Sequence, residues 1–210
     1  KAAAYNIGSQ QSNAQYKIYI DEKARILNKD FLLRMLEIFS LDSSIGMLGL
    51  AGTKVIPTTG DCRQARERAG RMLLIDDECK ETVWSDIQSV CEPVASLDGG
   101  ILAVQADIPW RQELFRTDDF LVTAQCQEYH RKQYKTVVPS QETAWGAWAG
   151  DCHKCDFADQ QVFLTEYSRE IYPLVLIVIP TYNRPEYCQQ ALDSALAQTY
   201  HNIEILVTDS

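Results

Sequence analysis

Along this chain the spacing of apolar residues switches repeatedly between a period near 3.6 and a period near two, and the switches mark out helices and strands. Residues 2 to 13 read as the end of a helix, and Tyr16 to Ile20 alternates toward a strand that stops at the charged run Asp21-Glu22-Lys23. From Lys29 to Phe39 apolar side chains recur at helical spacing, with Phe31, Leu32, Met35, Leu36 and Phe39 on one face and Asn28 at the N-cap. Ile45 to Leu50 is a short apolar strand bounded by glycine, whereas residues 57 to 88 mix proline, glycine and charge, which predicts a loop-rich insertion or small hairpin. Val94 to Val104 reads as strand, turn at Asp98-Gly99-Gly100, and strand again; Pro109-Trp110-Arg111 then opens a helix-like turn.

Asp119 to Lys132 reads as a helix and Lys135 to Val138 as a strand ending at Pro139, while residues 140 to 155, with Trp145 and Trp148, have no period and read as a loop. Phe157 to Ile171 is an amphipathic helix. Leu174 to Ile179 is the most hydrophobic strand of the chain, expected in a central position covered on both faces. Pro185 to Tyr200 is a helix with Leu192, Ala195 and Leu196 on one stripe, and Ile203 to Val207 is a second buried-type strand, completing a βαβ unit. This order predicts an α/β protein with a mainly parallel sheet flanked by helices.

The 210 residues, 46% hydrophobic and 23% charged, suit one large domain or two small ones and exclude a disordered chain. Twenty basic against twenty-nine acidic residues give a net charge of -9, a field that repels phosphate backbones and argues against nucleic acid as a partner. No apolar run reaches the roughly 18 to 20 residues of a transmembrane segment, and the first residues have no apolar signal core, so cytoplasm is the expected compartment. Seven cysteines, an odd number in a chain of this size, read as reduced thiols. Cys152-His153-Lys154-Cys155 has the spacing of half a zinc site, but no second pair accompanies it, His130 and His201 being the other histidines; nor does it sit where a dithiol redox motif would.

Val178-Ile179-Pro180-Thr181-Tyr182-Asn183-Arg184, the stretch Ala191 to Tyr200, and Ile203 to Asp209 together resemble the opening of family 2 glycosyltransferases of GT-A fold. The resemblance implies that Pro180, Thr181, Tyr182, Asn183, Arg184 and Asp209 bind the nucleotide, uridine diphosphate, of a sugar donor at the carboxyl edge of parallel strands. Ser210 stands where the family carries a second aspartate. Residues 1 to 140 resemble the later part of another GT-A domain, in a related glycosyltransferase-like family. There Asp21 and Glu22 stand at the family's D-x-D-type motif, which binds a divalent cation, Mn or Mg, that bridges the donor diphosphate. Lys23 departs from that motif, since strand alternation would put positions 21 and 23 on one side. Three readings stay open: Asp21 with Glu22 bind the metal after a local twist, Lys23 itself neutralises diphosphate charge, or catalysis is lost.

By the same resemblance Asp98, Gly99 and Trp110 lie on the acceptor side, and Thr117-Asp118-Asp119-Phe120 stands where inverting members carry their catalytic base. Asp119 is the first candidate and Asp118 the second, against a reading in which one of them caps the helix. Trp145 or Trp148 offers an aromatic face for a sugar, and His153 with Asp151 is a candidate for residues that approach the metal.

The expected organisation is an acceptor-side GT-A part over 1–155, a helical connection over 156–172 and a nucleotide-binding βαβ start over 173–210. The chain thus reads as a fragment of a longer tandem protein or as a circularly permuted GT-A domain. In the permuted form strands 174–179 and 203–208 complete the sheet of residues 16 to 138, within one chain or by exchange between two copies in a dimer. The implied activity is transfer of a hexose from a nucleotide-sugar to a saccharide or lipid-linked acceptor with inversion, as in polysaccharide biosynthesis. The alternative is a non-catalytic GT-A-like module that binds carbohydrate or organises a partner enzyme.

Overall fold

The structure is a computed structural model that describes residues 1–75, 80–149, 155–200 and 202–209. The chain divides into two compact units, Lys1–Phe163 and Leu164–Ser210.

The first unit begins with α1 (Ala2–Gln10), β1 (Lys17–Ile20), β2 (Ala24–Ile26), α2 (Phe31–Leu41), β3 (Ile45–Gly49) and β4 (Ala51–Thr53). The aperiodic stretch 57 to 88 contains the predicted hairpin, β5 (Arg68–Leu74) and β6 (Lys80–Ser85). Then come β7 (Cys91–Pro93), β8 (Ser96–Leu97), β9 (Ile101–Val104), α3 (Leu121–Arg131), β10 (Lys135–Pro139), β11 (Gly146–Trp148) and the start of the long helix α4 (Phe157–Ile171), which from Leu164 on belongs to the second unit. Between Trp110 and α3 the chain makes turns and no helix. The expected loop over 140 to 155 contains β11, a strand too short to show a period.

Two sheets result, one in the order β1-β9-β3-β10-β7 and one in the order β2-β11-β5-β4-β8 with β6 paired to β5. The α/β class holds, with helices beside the sheets, but strand direction differs from expectation. In this unit only β3–β10 and β11–β5 are parallel among the described pairings; the others are antiparallel. Few strands here are followed by a helix, and without a crossover a chain returns antiparallel. Val94 to Val104 contains the expected strand, turn and strand, but the two strands join different sheets. β8 pairs with β4 in one sheet while β9 pairs with β1 and β3 in the other, so Asp98-Gly99-Gly100 carries the chain from sheet to sheet.

The core shows why the helices form where they do. On α2 the buried side chains are Phe31, Met35, Ile38 and Phe39, whereas Leu32 and Leu36 are exposed, so the packed stripe is rotated from the predicted one. Each fully buried side chain of this size contributes about 1.5–3 kcal/mol of transfer free energy. Asn28 does not occupy the N-cap. Asp30 does, without a side-chain bond, and the Asp30 amide donates to Asn28 Oδ1 at 2.8 Å one step outside the helix. On α3, Leu121, Ala124, Cys126 and Tyr129 are buried, and Gln127 Nε2 donates to the Ala95 carbonyl at 3.0 Å, tying the helix to the strand before the Asp98 turn.

The second unit contains β12 (Val175–Thr181), α5 (Pro185–Leu196) and β13 (Ile203–Asp209). β12 and β13 are parallel and in register from Val175↔Ile203 to Thr181↔Asp209. Ile179 and Ala195 are buried, but Leu174, Leu176, Val178 and Leu206 are about half exposed, and Leu196 is exposed. The expectation of a central strand covered on both faces is therefore not met, because two strands and one helix are too few to enclose both faces of a sheet. β12 and β13 form a two-stranded sheet. Among the described residues no helix is long and apolar enough to cross a membrane.

Candidate active site

Seven stretches meet around a cavity of about 380 Å³ in the first unit: the start of α1, the end of β1 with its turn, residues 60–63, the β5–β6 hairpin, the Asp98 turn, the segment entering α3 and Trp148. Asp21, Glu22, Lys23, Asp98, Gly99, Asp118 and Asp119 all line it. These are the residues the sequence assigns to metal, acceptor and base.

Strand alternation does not extend to position 23, because β1 ends at Ile20 and the chain turns. The Lys23 amide donates to Asp21 Oδ1 at 2.9 Å, and the Ala24 amide to the Asp21 carbonyl at 2.9 Å. Asp21 is thereby drawn in and buried, while Glu22 and Lys23 are exposed at the rim. The Asp21 amide donates to the Gly100 carbonyl at 2.7 Å, which locks the acidic turn to the glycine turn. Gly100 has φ +102°, and Trp148 packs directly on it, so a side chain there would be strained and would crowd the indole.

Lys1 Nζ lies 2.8 Å from Asp21 Oδ2 and 3.3 Å from Asp118 Oδ2, bridging the two carboxylates. Burial works to raise the Asp21 pKa, but the Lys1 ammonium and the Lys23 amide outweigh it and hold the carboxyl below its usual range. The Trp148 indole adds to this, although its N–H is buried without a hydrogen bond of normal geometry.

Asp118 and Asp119 precede α3, yet neither side chain caps it: the N-cap is Phe120 without a side-chain bond, and only the Asp118 carbonyl serves the helix, accepting from the Leu121 amide at 3.2 Å. Asp119 Oδ2 accepts from Thr117 Oγ1 at 3.2 Å and from the Asp156 amide at 2.9 Å, which orients its carboxylate. Behind it, Asp159 Oδ2 accepts from Thr117 Oγ1 and the Thr117 amide, both at 2.7 Å, so the segment bearing both aspartates is anchored to the start of α4.

Trp145 and Trp110 do not line this cavity. Trp145 is buried edge-to-face with Phe31, ring centroids 6.3 Å apart, beside a different, polar hollow that also includes Arg34 and Glu37. Trp110 is buried against Tyr5 and Tyr19 at 4.9 and 5.2 Å, and it is those tyrosines that reach the cavity wall. Both tryptophans are core residues because the turns that carry them fold inward. Trp148, the other aromatic considered, lines the cavity together with Trp84, Arg63 and Arg68, which sequence reasoning missed. The signal available for the last three was an aromatic and two cations in the aperiodic stretch 57 to 88.

Pro180, Thr181, Tyr182, Asn183, Arg184 and Asp209 belong to the second unit. There the strand register sets Asp209 beside Thr181, and Asn183 takes the left-handed conformation at φ +48°, turning the chain from β12 into α5. Tyr182, Asn183 and Arg184 are exposed. Asp151, Cys152, His153 and Lys154 lie outside the described residues, as do Cys79, His201 and Ser210. Cys62, Cys91, Cys126, Cys155 and Cys188 are free thiols. Among the described residues no group of three His, Cys, Asp or Glu side chains is arranged to hold a metal ion.

Comparison with known proteins gives the family. Residues 176–210 match the Glycosyl transferase family 2 description. An uncharacterized glycosyltransferase of Rickettsia bellii is 60% identical over 38 residues, 18% of this chain and 6% of the relative. Uncharacterized glycosyltransferases of Rickettsia typhi and Rickettsia prowazekii are each 62% identical over 37 residues, 18% of this chain and 12% of the relative. The aligned stretches thus span only a small part of these curated relatives. The longest match covers residues 1–167, the stretch that builds the whole cavity, and by it the chain belongs to the glycosyltransferase-like family.

Proposed function

We propose that this protein takes part in transfer of a hexose from a nucleoside-diphosphate sugar to a saccharide or lipid-linked acceptor, with inversion at the anomeric carbon. The observation that carries the reading is the single cavity shared by Asp21, Asp98, Asp118 and Asp119. In an inverting transfer the acceptor hydroxyl oxygen attacks the anomeric carbon and loses its proton to a carboxylate, while the bond from that carbon to the diphosphate oxygen breaks on the opposite face. Asp119, oriented by Thr117 and the Asp156 amide, takes the proton; Asp118 is the alternative.

Six carboxylates and four cationic side chains line the cavity, so it carries excess negative charge, and a donor diphosphate there needs added positive charge. Asp21 and Asp118 fit a divalent cation on one observation: both already converge on one cationic nitrogen, Lys1 Nζ. Magnesium is commonly held by one or two carboxylates together with water and substrate phosphates, so two protein ligands suffice. Bound there, the cation would neutralise charge developing on the leaving diphosphate. In the second unit, residues 180–184 and Asp209 are, by the family resemblance, the start of a separate nucleotide-binding site.

A second reading, a non-catalytic carbohydrate-binding or scaffolding module, is favoured by Lys23 at the motif and by Lys1 between the carboxylates. Calorimetry with uridine diphosphate, with and without Mn²⁺, separates the two. Metal-dependent binding supports the transferase, and its absence under both conditions supports the module. If a transfer assay succeeds, Asp119→Asn is expected to lower turnover by about 10²- to 10⁴-fold while leaving nucleotide binding intact.

A further inference from the structure

The β5–β6 hairpin lies outside the motifs that suggest glycosyl transfer, yet it contributes Arg68 and Trp84 to the cavity wall. The Arg68 guanidinium carbon sits 4.2 Å from the Trp84 ring centroid, and its Nη2 donates to Asp98 Oδ2. Both side chains of the ion pair are largely buried, Arg68 at 17% and Asp98 at 14% exposure. Arg68 Nε is buried without a partner. A buried ion pair with an unsatisfied donor is a poor source of stability, because desolvation of both charges offsets their attraction. Its effect is instead on Asp98. The Asp98 amide donates to the Ala51 carbonyl at 2.8 Å, fixing the backbone, and Arg68 fixes the side chain. Among the described residues Oδ1 has no protein hydrogen-bond partner, and it is not sealed from solvent. A fixed carboxyl oxygen at a cavity wall accepts hydrogen bonds from hydroxyl groups.

We propose that Arg68, braced by Trp84, is a positioning residue that fixes the Asp98 side chain to receive a hydroxyl of a neutral pyranose, making the β5–β6 hairpin the element that selects the acceptor sugar. This rests on the transferase reading and deepens it. Burial outweighs Arg68 and leaves the Asp98 pKa above its usual value, while Arg68 limits the rise.

The test follows Asp98 directly. The protein is labelled with ¹³C-aspartate, the Asp98 carboxyl signal is assigned with Asp98→Asn, and its titration is compared in wild type, Arg68→Met, Arg68→Lys and Trp84→Ala. In parallel, tryptophan fluorescence reports binding of methyl β-D-glucopyranoside and methyl β-D-galactopyranoside, and calorimetry reports uridine diphosphate. Arg68→Met is expected to raise the Asp98 pKa by about one unit or more and to weaken glycoside binding at neutral pH about tenfold. The acidic limb of binding should move upward with it. Trp84→Ala should shift both in the same direction by less, and Arg68→Lys should restore part of each, which also covers the case that Arg68→Met does not fold. Unchanged Asp98 titration in the folded variants, or failure of both glycosides to bind wild type, overturns the proposal. Loss of nucleotide binding by wild type instead strikes the transferase reading, and the Asp98 titration still judges the role of Arg68.

Discussion

β3 and β12 are both short, apolar strands with a parallel neighbour, yet the first is buried at every residue and the second at one, Ile179. β3 lies between β9 and β10 and is covered by side chains of α2 and α3, including Phe39 and Tyr129, whereas β12 has β13 as its sole strand partner among the described residues. Apolar sequence makes a strand suitable for burial; burial itself depends on what surrounds it. The same contrast governs the candidate site. In the first unit the acidic residues are held by bonds from distant segments, while in the second Tyr182, Asn183 and Arg184 stand exposed at a strand end.

Three substitutions sharpen or break this comparison. The largest effect is expected at Phe31, 1% exposed beneath the first sheet: Phe31→Ala should cost about 3–5 kcal/mol in denaturant unfolding, and a loss below 1 kcal/mol would show that the core is not packed as described. An intermediate effect is expected at Asp159. Its carboxylate receives the Arg116 amide at 2.9 Å and both the amide and hydroxyl of Thr117, so Asp159→Ala strands buried donors and should cost about 1–3 kcal/mol. Burial raises the Asp159 pKa, but these donors and Arg116 outweigh it and leave the folded-state value below the unfolded one. Its stabilisation is therefore present above about pH 4 and lost as pH falls through the folded value, so acid unfolding of Asp159→Ala should be less steep than that of wild type. The smallest effect is expected in the second unit. Val178→Ala, at a position 50% exposed, should change stability by less than about 1 kcal/mol; a loss near that of Phe31→Ala would mean that β12 is covered in solution.

Much of the site was legible because its chemistry lies in short local runs. Asp21-Glu22-Lys23, Asp98-Gly99-Gly100 and Asp118-Asp119 each follow or precede an element whose period is clear, and all three reach one cavity. The tryptophans were harder to place. Trp145 precedes β11 and Trp148 ends it; both pack on the α2 core cluster, but only Trp148 of the two also reaches the cavity, and a three-residue strand gives no period from which to tell them apart. Arg68 and Trp84 were missed because their pairing crosses a hairpin in the aperiodic stretch.

The amino-acid sequence by itself determined the helices and the longer strands, the acidic turns between them and the βαβ character of the last 38 residues, since these depend on neighbours a few positions away. Only the tertiary structure decided that the first unit forms two largely antiparallel sheets, that β12 is left half uncovered, and that Lys1, Arg68 and Trp148 gather around the carboxylates. Those outcomes turn on contacts between segments tens of residues apart, where the energy of burial and of charge pairing depends on the partner surface and leaves no local period to read.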